Sequence, residues 1–261
     1  FRCFTAPDRP LACLDPSYSL YPELAKIQGA PVIRIALDPE ADFAMPGNLL
    51  EQAAEANLLI ITRPNAPTGN SFPREFMREI CRSFDGVVLF DEAYADFADD
   101  NCMEFAKRFD NVLVSRTFSK SYSLAGLRLG FAVGNAALVN GMFKVKDSYN
   151  LDMLTQEIAR AAFADQQYML ENCARIRKTR GELAESLRAL GFAVVPSQTN
   201  FLFAAPPDGD GERCFRALRE AAVIVRYFPG PVTGRSVRIT IGTPEEMARL
   251  LAVLTALYGK Q

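Results

Sequence analysis

Short apolar runs alternate with helical patterns through residues 1–145 of this chain. Two segments between these runs, 49–56 and 74–84, carry apolar residues at helical spacing. The runs themselves have the length and residue types of strands and lie at 31–35, 58–62, 87–91, 112–115 and 130–133. Strands that alternate with helices favour a parallel or mixed sheet with helices on both faces. Ligands of such sheets bind at the carboxyl ends of the strands, so the residues that follow each run are the candidates for function.

The rest of the chain predicts a second, smaller unit. Residues 155–190 are charged and helix-forming with few breakers before Gly191, which indicates one long helix that bridges two domains. After it we predict strands at 193–195, 200–203, 223–227 and 237–241, and helices at 212–222 and 244–257. We therefore expect a large α/β domain over residues 1–160 with a mixed, mostly parallel sheet, and a small α/β domain over 161–261. The active site is expected between them.

Composition argues against several classes of function. The 29 lysines and arginines nearly balance the 31 aspartates and glutamates, so no broad basic face is expected for nucleic acid. The apolar runs are far shorter than the roughly 20 residues of a membrane helix, and we expect no membrane span. The chain has no histidine and its six cysteines form no CxxC pair, so we expect neither a metal site nor a serine–histidine triad. Such cysteine usage is typical of a cytoplasmic protein.

Two strand ends carry unusual residues. The run at 58–62 leads into RPNAPTG, residues 63–69, where two prolines and a glycine fix a tight loop. The run at 87–91 ends in Asp91, and a carboxylate at the end of a buried strand costs free energy unless a cation meets it. An ion pair at the edge of the core is one explanation for Asp91. A protonated pyridine nitrogen is the other, because a carboxylate beside it keeps such a ring an electron sink.

A lysine follows the next strand. Lys120 lies in SRTFSKSYSLAGLRLG, residues 115–130, among hydroxyl side chains. A single lysine in a polar turn is usually a solvated surface group. Here Thr117 and Ser119 offer hydroxyl donors and Arg128 offers a bidentate guanidinium, which together suit a phosphate group. A phosphate cradle, an imine-forming lysine and a carboxylate for a ring nitrogen are the demands of one cofactor, pyridoxal 5'-phosphate (PLP).

The order and spacing of three motifs resemble the fold type I aminotransferases of class I and II. These motifs are RPNAPTG (63–69), FDEAYADF (90–97) and SRTFSKSYSLAGLRLGF (115–131). Within that group the chain is similar to the histidinol-phosphate aminotransferase family through KDSYNLDMLTQ (146–156), IVRYF (224–228) and VRITIGTPEEM (237–247). The resemblance implies a homodimeric PLP enzyme of histidine biosynthesis. Such an enzyme exchanges an amino group between histidinol phosphate and 2-oxoglutarate, giving imidazole-acetol phosphate and glutamate.

The same resemblance implies roles for individual cofactor-binding residues. Lys120 would hold PLP as a Schiff base and shuttle a proton between substrate and cofactor carbons. Asp91 would pair with the pyridine nitrogen, and Tyr94 would hydrogen-bond the cofactor phenolate. The other positions that match cofactor contacts are Tyr18, which stacks on the ring, Thr117, Ser119 and Arg128, which bind the phosphate, and Asn65 in the proline-rich loop.

Two arginines match the substrate side of the resemblance. Arg238 would hold the carboxylate of glutamate and the phosphate of histidinol phosphate in alternate half-reactions, since one guanidinium fork suits both anions. Arg226 would be a second anion contact, and a solvated arginine at a strand edge explains it equally well. The implied partners are therefore small amino-acid or amino-phosphate substrates together with 2-oxoglutarate or glutamate.

The chain departs from the family pattern in two places. Ala66 stands where the family has an asparagine before the second proline, so Asn65, one position earlier, is the amide that remains for the cofactor. The sequence starts at Phe1 rather than methionine, and members of the family extend further at the front. We therefore expect an N-terminal part of the large domain to be missing, with weaker cofactor binding and lower stability as a result.

Other functions fit the same residues. A threonine-phosphate decarboxylase or an aromatic-amino-acid aminotransferase would reuse the same lysine, aspartate and arginines, because substrate choice depends on pocket residues that the sequence alone does not identify. A shortened, catalytically silent domain is the third alternative. Such a domain has no physical need for Lys120, Asp91, Tyr94, Ser119 and Arg128 together.

Overall fold

The larger of two β-sheets is built from strands between residues 11 and 134. A computed structural model describes residues 1–259 of the chain. The strands of this sheet are β1 (Leu11–Asp15), β2 (Val32–Ala36), β3 (Leu58–Thr62), β4 (Val87–Asp91), β5 (Val112–Thr117) and β6 (Gly130–Gly134). They lie in the order β2-β1-β3-β4-β5-β6, and all pairs are parallel except β5 with β6. The predicted mixed, mostly parallel sheet is confirmed.

The central strands are apolar because helices cover the sheet. All five residues of β3 are buried, which is typical of a parallel strand with both faces covered. The helices that connect or follow these strands are α1 (Leu20–Ile27), α2 (Leu49–Gln52), α3 (Arg74–Ser83), α4 (Phe105–Arg108) and α5 (Ala136–Phe143). In α3 the buried residues are Met77, Ile80 and Cys81, whose spacing puts them on one face of the helix. β1, α1, α4 and α5 were not anticipated from the sequence.

The single long helix predicted over residues 155–190 is interrupted at Asp165. Two helices stand in its place, α6 (Met153–Ala164) and α7 (Gln166–Ala189). Asp165 has φ −94° and ψ 62°, and its side chain accepts a hydrogen bond from the backbone N–H of Tyr168. The single-helix prediction was wrong here, because an aspartate caps the free N–H groups of a helix start better than it continues a helix. Among residues 1–259, no helix is both long and apolar enough to span a membrane.

The second sheet is smaller and antiparallel. Its strands are β7 (Ala193–Val194), β8 (Phe201–Ala205), β9 (Arg226–Tyr227) and β10 (Val237–Thr240), in the order β7-β8-β10-β9. Two helices, α8 (Gly211–Glu220) and α9 (Pro244–Tyr258), contribute Leu218, Leu250 and Leu254 to the core beneath it. The strand predicted over 223–227 is confirmed only at β9. The smaller α/β unit after the long helical region is present as predicted.

Hydrogen bonds between the two parts of the chain fix their relative position. Arg180 in α7 donates to the carbonyl oxygens of Phe97 at 3.2 Å and Thr199 at 2.7 Å. The backbone N–H of Gln198 donates to the carbonyl oxygen of Gly69 at 2.8 Å. The RPNAPTG loop after β3 therefore contacts the segment that leads into β8. The domain boundary near residue 160 stays a prediction.

Candidate functional site

The carboxyl ends of four neighbouring parallel strands meet at one edge of the larger sheet. β1, β3, β4 and β5 are followed there by Tyr18, Asn65, Tyr94 and Lys120, and Asp91 is the last residue of β4. Because the strand ends of a parallel sheet point the same way, motifs that are far apart in sequence come together. The Lys120 Nζ lies 5.3 Å from the centre of the Tyr94 ring. The lysine and the tyrosine singled out from the sequence are thus neighbours.

Both carboxylate oxygens of Asp91 are fixed by donors. Oδ2 accepts from the hydroxyl of Tyr21 at 2.6 Å, and Oδ1 accepts from the backbone N–H of Ala93 at 3.1 Å. Burial raises the pKa of Asp91 above its ordinary value, while these two hydrogen bonds and the charge of Lys120 act in the opposite direction. Asp91 keeps partial exposure. Its carboxylate is therefore oriented, accessible and within the field of Lys120, which suits a cationic ring nitrogen.

The adjacent carboxylate, Glu92, has a different environment. It is buried, and it receives hydrogen bonds from Arg116 at 2.8 Å and from the backbone N–H of Cys102. Arg116 also pairs with Asp96 at 2.6 Å. Glu92 is thus neutralised by a cation of the protein. Of the two adjacent carboxylates, Asp91 is the one that has no cation of the protein hydrogen-bonded to it.

Sequence reasoning missed Tyr21 and Thr62. The hydroxyl of Tyr21 lies 2.9 Å from the Thr62 Oγ1 and also donates to Asp91. Tyr18 lies half-exposed against it, with ring centres 5.4 Å apart in an edge-to-face arrangement. The available signal was the i, i+3 spacing of the two tyrosines, which brings them to one side of a helical turn.

Asn65 is fully buried, and its amide is engaged by the protein. Nδ2 donates to the carbonyl oxygen of Pro16 at 2.9 Å and to the Thr68 Oγ1 at 2.7 Å, while Oδ1 accepts from Ser17 at 3.0 Å. Both donor hydrogens are therefore used to join the RPNAPTG loop to the turn after β1. A contact between Asn65 and a cofactor stays a prediction.

The loop from β5 to β6 carries the residues expected to bind phosphate. The Thr117 Oγ1 accepts from the backbone N–H of Ser119 at 3.1 Å and donates to the carbonyl oxygen of Leu129 at 3.3 Å. Thr117 thus shapes the loop through backbone contacts. Arg128 is exposed, has a left-handed φ of 53°, and donates to the carbonyl oxygen of Ala125 at 2.7 Å. Ser119 and Arg128 flank Lys120 on this loop, and their phosphate contacts stay predictions.

Two arginines of the second sheet lie side by side. Arg238 in β10 is paired with Arg226 in β9, so both side chains leave the same face of the sheet. The Arg238 guanidinium carbon lies 4.8 Å from the ring centre of Phe201 and 5.3 Å from that of Phe228. The Phe201 ring packs edge-to-face on Tyr94, with centres 5.1 Å apart. This contact places Arg238 next to the residues around Lys120.

The guanidinium group of Arg238 is only partly satisfied by the protein. Its buried Nε has no hydrogen-bond partner within the part of the chain that the structure describes. Burial lowers its pKa, the nearby Tyr94 raises it, and the positive charge of Arg226 lowers it further. Arg226 is exposed, and its guanidinium lies 5.4 Å from the ring centre of Phe228. Two adjacent guanidinium groups of this kind suit a carboxylate or a phosphate, and an anion contact of Arg238 and Arg226 stays a prediction.

Comparisons with known proteins match almost the whole chain. The family model for aminotransferases of class I and II matches residues 1–254. A histidinol-phosphate aminotransferase of Syntrophotalea carbinolica is 44% identical over 256 residues, which cover 97% of this chain and 72% of the relative. A histidinol-phosphate aminotransferase of Microcystis aeruginosa is 42% identical over 258 residues, which cover 99% of this chain and 73% of the relative.

A solved structure shares the fold. It is the histidinol-phosphate aminotransferase from Sinorhizobium meliloti in complex with pyridoxal-5'-phosphate, with a TM-score of 0.89 at 24% identity. The match covers 98% of this chain and 73% of the other. In this chain the larger sheet carries the lysine and the carboxylate at its strand ends, and the two neighbouring arginines belong to the smaller sheet. The chain belongs to the family of class I and II aminotransferases.

Proposed function

We propose that this chain is a PLP-dependent aminotransferase. The observation that carries the proposal is Asp91, a largely buried carboxylate whose two oxygens are fixed by Tyr21 and Ala93. Within residues 1–259, Lys120 is the basic residue whose charge acts on it. A carboxylate held in this way suits a protonated pyridine nitrogen. When bound, PLP supplies a sink for the electrons released at the substrate carbon.

Other side chains of the site divide the remaining tasks. The Lys120 amine would attach the cofactor and, when free, would carry a proton between neighbouring carbon atoms. Tyr94, whose ring lies beside Lys120, would offer its hydroxyl to the cofactor. Ser119 and Arg128 would hold the phosphate through a hydroxyl and a guanidinium. Tyr18, exposed at the edge of the site, would pack on the ring.

The substrates that we propose are histidinol phosphate and 2-oxoglutarate, with imidazole-acetol phosphate and glutamate as products. Support comes from the relatives of that name, which are 44% and 42% identical to the chain. The neighbouring Arg238 and Arg226 also fit these substrates. A phosphate monoester and a dicarboxylate each present two oxygens that a guanidinium fork can bind, so one site serves both half-reactions.

We further propose a homodimer that works in a reducing cytoplasm. Several exposed apolar side chains lie on β6, α5 and α6, and a second subunit would cover them: Phe131, Phe143, Met153, Leu154 and Phe163. The six cysteines are unpaired, which suits a reducing compartment. Analytical ultracentrifugation of the purified chain measures the dimer directly, and a monomer at all concentrations would contradict it.

Labelling of the lysine tests the cofactor assignment. The purified chain is mixed with PLP, reduced with borohydride and digested, and the peptides are mapped for a phosphopyridoxyl group. We expect the label on Lys120 and its loss in Lys120→Ala, whereas the exposed α7 lysine variant Lys178→Ala keeps it. If no lysine is labelled in the unmodified chain, the proposal fails and a catalytically silent domain is the better description.

Substrate assays then separate the related activities. Transfer of an amino group from histidinol phosphate to 2-oxoglutarate is the expected reaction. Release of carbon dioxide from threonine phosphate would identify a decarboxylase instead. Faster turnover of phenylalanine or tyrosine than of histidinol phosphate would identify an aromatic-amino-acid aminotransferase.

A further inference from the structure

A buried tyrosine stands directly behind the carboxylate of the site. Tyr21 is 5% exposed, and its hydroxyl donates to Asp91 Oδ2 at 2.6 Å. The same hydroxyl lies 2.9 Å from the Thr62 Oγ1. An ionised carboxylate can only accept, so the Tyr21 proton points to Asp91 and the Tyr21 oxygen accepts from Thr62.

The contacts continue from Thr62 into two loops. The Ser17 Oγ donates to the Asn65 Oδ1 at 3.0 Å and lies 3.0 Å from the Thr62 Oγ1. With the Thr62 proton directed to Tyr21, no proton remains for a hydrogen bond between Ser17 and Thr62. Asn65 in turn donates to the carbonyl oxygen of Pro16. The hydroxyl of Tyr21 is therefore held between the ends of β3 and β4, by Thr62 and Asp91. Hydrogen bonds on both sides fix the position of this hydroxyl, which is what a residue that orients a carboxylate needs.

The hydrogen bond between Tyr21 and Asp91 affects the pKa of both groups. Burial and the neighbouring Asp91 raise the pKa of Tyr21 well above its ordinary value, so Tyr21 remains a donor. Burial raises the pKa of Asp91, and the hydrogen bond from Tyr21 is the first of the contacts that lower it. Ala93 and Lys120 act on Asp91 in the same direction as Tyr21. The tyrosine thus favours the ionised carboxylate, the form that a protonated ring nitrogen requires.

We propose that Tyr21 is a positioning residue, which orients the Asp91 carboxylate for the cofactor nitrogen, with Thr62 supporting its hydroxyl. The inference rests on the PLP function proposed above, because it concerns the same carboxylate. Tyr21 itself touches neither substrate nor cofactor in this assignment.

The first test uses the chain without cofactor. The titration of Asp91 is followed by carbon NMR of the aspartate carboxyl groups, assigned with Asp91→Asn. We expect a higher pKa for Asp91 in Tyr21→Phe, which removes only the hydroxyl, and an unchanged titration in Tyr168→Phe, a matched change at an exposed position of α7. An Asp91 titration that is the same in Tyr21→Phe and the unmodified chain overturns the inference.

The second test measures the cofactor complex. In Tyr21→Phe we expect PLP to bind about tenfold more weakly and kcat to fall about tenfold, since a hydrogen bond to a charged group is lost. The KM for glutamate should change by less than about twofold, because Arg238 is untouched. Thr62→Ser, which keeps the supporting hydroxyl, should behave as the unmodified chain, and Thr62→Val should lie between it and Tyr21→Phe.

The two proposals fail in different ways. If the unmodified chain does not bind PLP, the proposed function is wrong, and the titration without cofactor still decides whether Tyr21 acts on Asp91. If the unmodified chain binds PLP and Tyr21→Phe has the same affinity, kcat and Asp91 titration, the proposed function stands and the role of Tyr21 is wrong.

Discussion

Replacing Arg238 by glutamine distinguishes the contribution of this residue to anion binding from its contribution to the stability of the fold. The Arg238 guanidinium lies between the rings of Phe201 and Phe228, and its buried Nε has no hydrogen-bond partner within residues 1–259. Burial also lowers its pKa. A cation in this setting raises the free energy of the ligand-free protein and is stabilised when an anion arrives. Arg238→Gln keeps a similar length and polarity while it removes the charge and the fork.

The expected size of the effect follows from these contacts. A bidentate pair with a substrate anion contains two charge-assisted hydrogen bonds of about 1.5–3 kcal/mol each. Their loss lowers kcat/KM by roughly 150- to 25,000-fold. Loss of the two guanidinium–ring contacts destabilises the fold by about 1–2 kcal/mol, and removal of a poorly solvated charge offsets a similar amount. We therefore expect the free energy of unfolding to change by less than about 1 kcal/mol.

Two measurements on the same variant decide this prediction. Urea unfolding of the cofactor-free chain gives the change in stability, and steady-state kinetics with glutamate and with histidinol phosphate give the change in kcat/KM. Arg216→Gln is the matched control, since Arg216 forms an exposed ion pair with Glu212 on α8 and should alter neither quantity by a measurable amount. If Arg238→Gln keeps kcat/KM within about threefold for both substrates, the assignment of Arg238 to anion binding is refuted. A loss of more than about 3 kcal/mol of stability would instead make Arg238 a structural residue.

Two further predictions concern stability. Gly69 has φ +87°, and an added Cβ would lie 2.9 Å from the Ser197 Oγ, so Gly69→Ala should lower the unfolding free energy by about 1–3 kcal/mol. Gly181→Ala, in the interior of α7 with nothing within 4 Å of the new Cβ, should raise it by about 0.5–1 kcal/mol, and equal effects in the two urea titrations would contradict the argument. Burial raises the pKa of Asp91, so the folded state holds a proton more tightly than the unfolded chain. The resulting stabilisation is complete below the unfolded pKa of about 4 and is lost as pH rises through the folded pKa. Asp91→Asn should therefore stabilise the cofactor-free chain at neutral pH and flatten its stability–pH curve, while transamination falls by at least about 100-fold. A lower free energy of unfolding for Asp91→Asn than for the unmodified chain at neutral pH would refute the predicted direction.

The sequence predicted the residues that directly follow buried parallel strands. Asp91 and Lys120 could be placed at one edge of the sheet because the strands that lead to them, β4 and β5, run in the same direction. Tyr21 could not be found in this way, since it lies in a helix and its hydroxyl reaches Asp91 only through the packing of α1 on the sheet. The break at Asp165 was missed for a local reason. The hydrogen bond by which the aspartate caps α7 is more favourable than a helical conformation of Asp165 that would join α6 to α7.

Asp91 and Glu92 are neighbours in the sequence but have different partners in the structure, and the sequence alone predicts only part of this difference. Successive residues of a strand point to opposite sides, so alternation alone implies that only one of two neighbouring carboxylates can face a ligand. Which one does so depends on Arg116, a residue of the neighbouring strand β5, which pairs with Glu92 at 2.8 Å. That ion pair neutralises Glu92 within the protein and leaves Asp91 with a tyrosine hydroxyl and a backbone N–H as its bonded partners. Because neither donor carries a full charge, the Asp91 carboxylate suits the cationic ring nitrogen that we propose for this edge of the sheet.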